Sequence, residues 1–146
     1  MNAKYSLSHK SEEPENGVLY IVGTPIGNLS DISFRALNIF KNVSLIACED
    51  TRQTRKIMSK FEFKNNLISF NKHNSNKKIP KIINDLNLGK SIALASDAGM
   101  PSICDPGEDL IREARSKDIN VICIPGPCAA ITALASSGLP SSKFIF

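Results

Sequence analysis

The side chains best equipped for chemistry sit in short loops that follow apolar runs. Glu49-Asp50-Thr51-Arg52 places two acids and a guanidinium side by side. Such a cluster serves either as an active-site group or as the acidic N-terminus of the next helix. Asp97 stands in Ser96-Asp97-Ala98-Gly99-Met100-Pro101, where a carboxylate accepts bonds from a ribose hydroxyl or an ammonium group. A helix cap is its plainer role. His73, in His73-Asn74, is either a proton acceptor or a solvated loop side chain.

Gly23-Thr24-Pro25-Ile26-Gly27-Asn28 invites comparison with a dinucleotide loop and fails it. Pro25 takes the place of the second glycine and has no N–H for a phosphate. The loop suits a flat or non-phosphorylated ligand, or is a plain turn. Pro125-Gly126-Pro127-Cys128-Ala129-Ala130 is a third small-residue loop of the same kind.

The elements that must position these loops alternate. Apolar runs of strand length cover 18–23, 44–48, 67–70, 91–95 and 120–124. Between them lie helical patterns. The first starts at a Ser30-Asp31 cap and the second near Thr51. The third runs from about Lys78 to Leu88, the fourth follows Asp105-Pro106-Gly107, and the fifth opens at Pro127. Alternation of this kind predicts an α/β fold, a mostly parallel five-stranded sheet with helices on both faces. The loops then gather at the carboxyl edge of the sheet, where ligands bind in open α/β folds.

The length of 146 residues fits one domain, and a 42% hydrophobic content supplies a core. No apolar run approaches the roughly 20 residues of a membrane span. Residues 1–16 are polar and of mixed charge, and read as a disordered leader rather than a signal peptide, which implies a cytoplasmic protein. Cys48, Cys104, Cys123 and Cys128 form no CxxC pair, and His9 and His73 are the only histidines, so no metal site is expected. Cys48 and Cys123 read as small buried hydrophobes.

Charge is uneven. From Thr51 to Lys90 there are ten Lys or Arg against two acids, so this segment is +8 and the rest of the chain −4. The block suggests an anionic partner such as nucleic acid, or a solvated helical face.

Taken together, LYIVGTPIGNLSDIS, LIACEDTR, HNS, ALASDAGMPSICDPG and IPGPCAAITALASSGLPS resemble the amino-terminal domain of the small-subunit ribosomal RNA methyltransferases of the tetrapyrrole methylase superfamily. The resemblance covers residues 17–146. It implies a two-domain, homodimeric enzyme that moves a methyl group from S-adenosylmethionine to the 2′-hydroxyl of a cytidine in 16S rRNA. The carboxyl-terminal domain would lie beyond this sequence. By motif match, Pro25, Ile26, Asp97, Met100, Cys128, Ala129 and Ala130 would line the cofactor cleft. Two departures stand out: Ser75 where the family has glutamate, and Met100 where it has threonine.

On this reading Glu49, Asp50 and His73 are the candidate general bases. Arg52, Arg55, Lys77, Lys78 and Lys81 would hold RNA phosphates. The alternatives are a tetrapyrrole methyltransferase of the same superfamily, or a fragment that only binds RNA or dimerises. No metal and no membrane enter any of these.

Overall fold

Five runs rich in Ile, Leu, Val and Ala pair because each is apolar on both faces, as a doubly covered parallel sheet requires. The computed structural model describes residues 12–103 and 107–145. The strands are β1 (Leu19–Val22), β2 (Leu45–Cys48), β3 (Leu67–Ser69), β4 (Ile92–Ala95) and β5 (Val121–Ile124). They form one sheet in the order β3-β2-β4-β1-β5, and all four pairings are parallel. Strand bounds expected from the sequence agree within one or two residues.

The helices are α1 (Phe34–Asn42), α2 (Thr51–Lys60), α3 (Ser75–Asn87), α4 (Glu108–Ser116) and α5 (Ala129–Ser137). Strand side chains alternate between two cores. Tyr20, Val22, Ile46, Cys48, Ala93 and Ile124 pack with Phe40 of α1 and Ile57 of α2. Leu19, Ile21, Ala47, Ile92 and Leu94 pack with Ile82 of α3 and Leu110 of α4. The fifth helix buries none of its residues.

Several expectations are corrected. Helix α1 is capped by Ser33, whose Oγ accepts the Ala36 N–H at 3.1 Å; Ser30 and Asp31 lie in a 3-10 turn that Asn28 caps. Helix α3 begins at Ser75, not Lys78, because Pro80 removes one hydrogen bond near the exposed first turns without stopping the helix. The fifth helix begins at Ala129, after Pro127. Cys123 is exposed, because β5 is an edge strand with one uncovered side.

Residues 12–16, placed in the leader by sequence, are tied down. The Arg35 guanidinium meets the Glu13 carboxylate, its Nε at 2.6 Å, and the Asn38 amide donates to the Glu13 carbonyl. The rest of that leader, His9, Cys104, Asp105, Pro106 and Phe146 lie outside the described residues. No strand forms at 142–145, where Phe144 and Ile145 are exposed. Among the described residues no helix is long and apolar enough to cross a membrane.

Candidate functional site

Strand order decides which loops become neighbours. From β1 the chain leaves over α1 toward β2, and from β4 it leaves over α4 toward β5, on the opposite face. Between β1 and β4 the direction of winding therefore reverses, which opens a crevice at their carboxyl ends.

The loops after β1 and β4 are joined across that crevice. The Thr24 N–H donates to the Gly99 carbonyl at 2.9 Å, and the Gly99 N–H donates back to the Thr24 carbonyl at 3.1 Å. Gly99 has φ +84°, a left-handed conformation that glycine adopts without strain. The β5 loop closes in from the far side. A Cβ added to Gly23 would stand 2.6 Å from the Gly126 Cα and 2.7 Å from the Met100 sulfur. Neither glycine has room for a side chain, so the three loops meet backbone to backbone. Ile26 and the Pro127 carbonyl both lie beside Gly99.

Of the expected cofactor residues, Ile26 and Met100 therefore stand together at the crevice, with Pro25 buried in the adjoining loop. Cys128 is half-buried at the N-cap of α5, and Ala129 and Ala130 are exposed in its first turn. Asp97 is exposed at the rim. It caps no following helix; its Oδ1 accepts the Asp50 N–H at 2.9 Å.

The acids after β2 are divided in role. Asp50 caps α2, its Oδ1 accepting the Arg52 N–H at 2.8 Å, and both its oxygens meet the Arg52 guanidinium. These bonds hold its carboxyl down to about 2. A carboxylate so engaged is a weak proton acceptor at neutral pH. Glu49 is half-buried, and its N–H donates to the Ala95 carbonyl of β4. His73 is exposed in the loop after β3, and its backbone N–H donates to the Asn71 Oδ1.

The basic residues gather at the β3 side, where α2 covers one face of the sheet and α3 the other. Arg55, Lys77 and Lys81 are exposed. Arg52 is engaged with Asp50. Lys78 differs from the expected phosphate contact: its ammonium is half-buried and donates to the Ser69 carbonyl at the end of β3. The Asn74 amide donates to the same carbonyl at 3.3 Å.

Two groups were missed by sequence reasoning. Thr24 and Ser96 are 1% and 4% exposed, and their hydroxyls turn inward to the β4 loop. The one signal for Thr24 is a hydroxyl residue wedged between a glycine and a proline. Among the described residues no three His, Cys, Asp or Glu side chains are grouped as metal ligands would be.

Comparison with known proteins agrees with this layout. The chain is 48% identical over 135 residues to "Ribosomal RNA small subunit methyltransferase I" of Halalkalibacterium halodurans, covering 92% of this chain and 47% of the relative. It is 52% identical over 130 residues to the protein of that name from Thermotoga maritima, covering 89% and 59%. For that of Escherichia coli O157:H7 the identity is 48% over 138 residues, covering 94% and 48%. The chain spans about half the length of the curated relatives it matches. The fold is shared with the uroporphyrin-III-C-methyltransferase of Thermus thermophilus, at a TM-score of 0.65 and 19% identity, covering 87% of this chain and 54% of that one. The family model for Tetrapyrrole (Corrin/Porphyrin) Methylases matches residues 18–145, a span that takes in all five strands and the three loops that meet at Gly23, and the chain belongs to that family.

Proposed function

We propose that this chain is the amino-terminal, cofactor-holding domain of an S-adenosylmethionine-dependent enzyme that methylates the 2′-hydroxyl of a cytidine in 16S rRNA. The observation that carries this reading is the order of loops along one sheet edge. The basic β3 side comes first, then the acids after β2, then the crevice between β4 and β1. Relatives about half identical to it are named for ribosomal RNA methylation.

The residues present fit the cofactor. Gly23 and Gly126 let the loops after β1 and β5 close backbone to backbone, and Gly99 takes the left-handed conformation that turns the β4 loop toward them. Ile26 and Met100 offer apolar contact for an adenine or thioether. Asp97 Oδ2 is left for a ribose hydroxyl or an ammonium group. Bound there, the cofactor supplies an electrophilic methyl group on a sulfonium. Cys128, Ala129 and Ala130 complete one wall of the crevice on this reading, with Pro25 fixing the turn before Ile26.

The domain's work is then orientation. Glu49 directly follows β2, the neighbour of β4, whereas His73 lies in the loop after β3, one strand further out. Glu49 is the better placed base for the ribose hydroxyl. Asp50 orients rather than accepts the proton, since its oxygens are engaged. Arg55, Lys77 and Lys81 hold phosphates, while Arg52 and Lys78 keep structural partners.

A homodimer and a cytoplasmic location belong to the same reading. Its support is the ribosomal substrate, together with the exposed Ile131 of the unburied α5 and the exposed Leu139 and Phe144 further along the chain.

Two measurements test it. Calorimetry on this chain should show binding of S-adenosylhomocysteine. The full-length product of the gene should move a labelled methyl group to small ribosomal subunits and not to a tetrapyrrole. Transfer to the tetrapyrrole alone would select the small-molecule reading, and no cofactor binding in either protein would leave a binding fragment.

A further inference from the structure

The Gly99 carbonyl is the point on which the β4 loop is hung. It accepts the Thr24 N–H at 2.9 Å, and the Thr24 and Ser96 hydroxyls stand 3.3 and 3.2 Å from it. A carbonyl has two lone pairs, so this oxygen takes the Thr24 N–H and one of the two hydroxyl hydrogens at a time. Thr24 Oγ1 is also 3.2 Å from the Ser96 carbonyl, at the start of the same turn. Ser96 lies within that turn and can only stiffen it. Thr24 is on the other loop, and its single O–H hydrogen is shared between carbonyls at the two ends of the turn.

We infer that the Thr24 hydroxyl is a positioning residue for the cofactor crevice, locking the Ser96–Gly99 turn onto the β1 loop before any ligand arrives. This rests on the cofactor reading above. Asp97 lies inside the locked turn and Met100 follows it, so the directions of both ligand contacts are set by this lock. A preformed crevice spends less of its binding free energy on ordering a loop. The lock also explains why a threonine sits where the alternation of β1 would place an apolar residue against the core. The residue is 1% exposed, and its hydroxyl has a partner.

Thr24→Val removes the hydroxyl and keeps the shape, whereas Thr24→Ser keeps the hydroxyl. Two readouts are taken on the full-length product: amide exchange at Gly99, whose N–H is bonded to Thr24, and affinity for S-adenosylhomocysteine. Thr24→Val should speed Gly99 exchange and weaken affinity, each by roughly 3- to 10-fold, the worth of one neutral hydrogen bond. Exchange at Ile46, whose N–H is bonded to the Asn66 carbonyl on the β3 side, should not change, and Thr24→Ser should stay within about twofold of the parent on both readouts. A purely structural role would lower the melting temperature and leave affinity intact, and that result overturns the proposal. If the full-length product binds no S-adenosylhomocysteine, the cofactor reading falls by itself. Gly99 exchange then judges the lock alone, and an unchanged rate overturns it. Should Thr24→Val fail to fold, Thr24→Cys, a weak donor of similar size, takes its place with the same outcomes.

Discussion

The Asp97 carboxylate accepts the backbone N–H of Asp50 at 2.9 Å, across 47 residues of chain. One bond thereby joins the end of β4 to the N-cap of α2. Asp50 passes the connection on through its own carboxylate to Arg52. The rim of the crevice and the first turn of the basic helix are one hydrogen-bonded unit.

Asp97→Ala and Asp97→Asn should therefore behave differently. The alanine variant loses both the Asp50 contact and the charge, and its melting temperature should fall. The asparagine variant keeps an acceptor for the N–H and should melt close to the parent. Both should lose affinity for S-adenosylhomocysteine, by about 10- to 150-fold if a charged hydrogen bond is lost. Equal affinity of Asp97→Asn and the parent in calorimetry would make Asp97 a purely structural link.

Gly23→Ala forces a methyl group against the backbone of Gly126, with no flexible side chain to yield except Met100. Overpacking of this kind costs about 1–3 kcal/mol. Urea denaturation should report that loss. Gly27→Ala is the control for crowding, since a Cβ there meets nothing within 4 Å, though its φ of +152° still disfavours a side chain. A Gly23→Ala midpoint equal to the parent's would mean that the loops are not in contact.

Acid should weaken the Asp50 link in a defined window. Its carboxyl lies at about 2 when folded against 3.8 ordinarily, so the unfolded chain takes up the proton first as pH falls. The stabilisation is complete above about pH 4 and is lost as pH drops toward 2. Asp50→Asn keeps a capping oxygen and should lack this limb of the pH–stability curve. Superimposable curves between pH 5 and 2 would remove Asp50 from the account.

The lysines of α3 should separate by role. Lys77→Gln with Lys81→Gln should flatten the salt dependence of binding to small-subunit rRNA, by about 0.7–0.9 in log–log slope for each phosphate contact removed. Stability should not change, since both side chains are exposed. Lys78→Gln should instead destabilise the β3 end, where its ammonium meets Ser69. A Lys78→Gln variant of parental stability and reduced slope would return Lys78 to the RNA surface.

Glu49→Gln should lower kcat of the full-length product by about 100-fold or more with little change in cofactor affinity, as expected for loss of a general base. His73→Gln should cost less. A larger loss for His73→Gln would exchange their roles.

The sequence by itself determined the elements. Five apolar runs of strand length, separated by helical periodicity, point to alternating strands and helices, and the glycine-containing loops then follow β1, β4 and β5. Charge counting likewise located the basic block. Only the tertiary structure decided neighbourhood. An apolar run declares itself a strand but not which strand lies beside it, because parallel pairing is settled by burial between distant segments. Insertion of β4 between β2 and β1 is what brings Asp97 to Asp50 and Thr24 to Gly99. The same order leaves β5 at an edge, which exposes Cys123 although its run reads as core. Lys78 looked like its basic neighbours until the fold turned its ammonium onto a strand-end carbonyl, since a backbone acceptor left at the end of β3 attracts the nearest donor that can reach it.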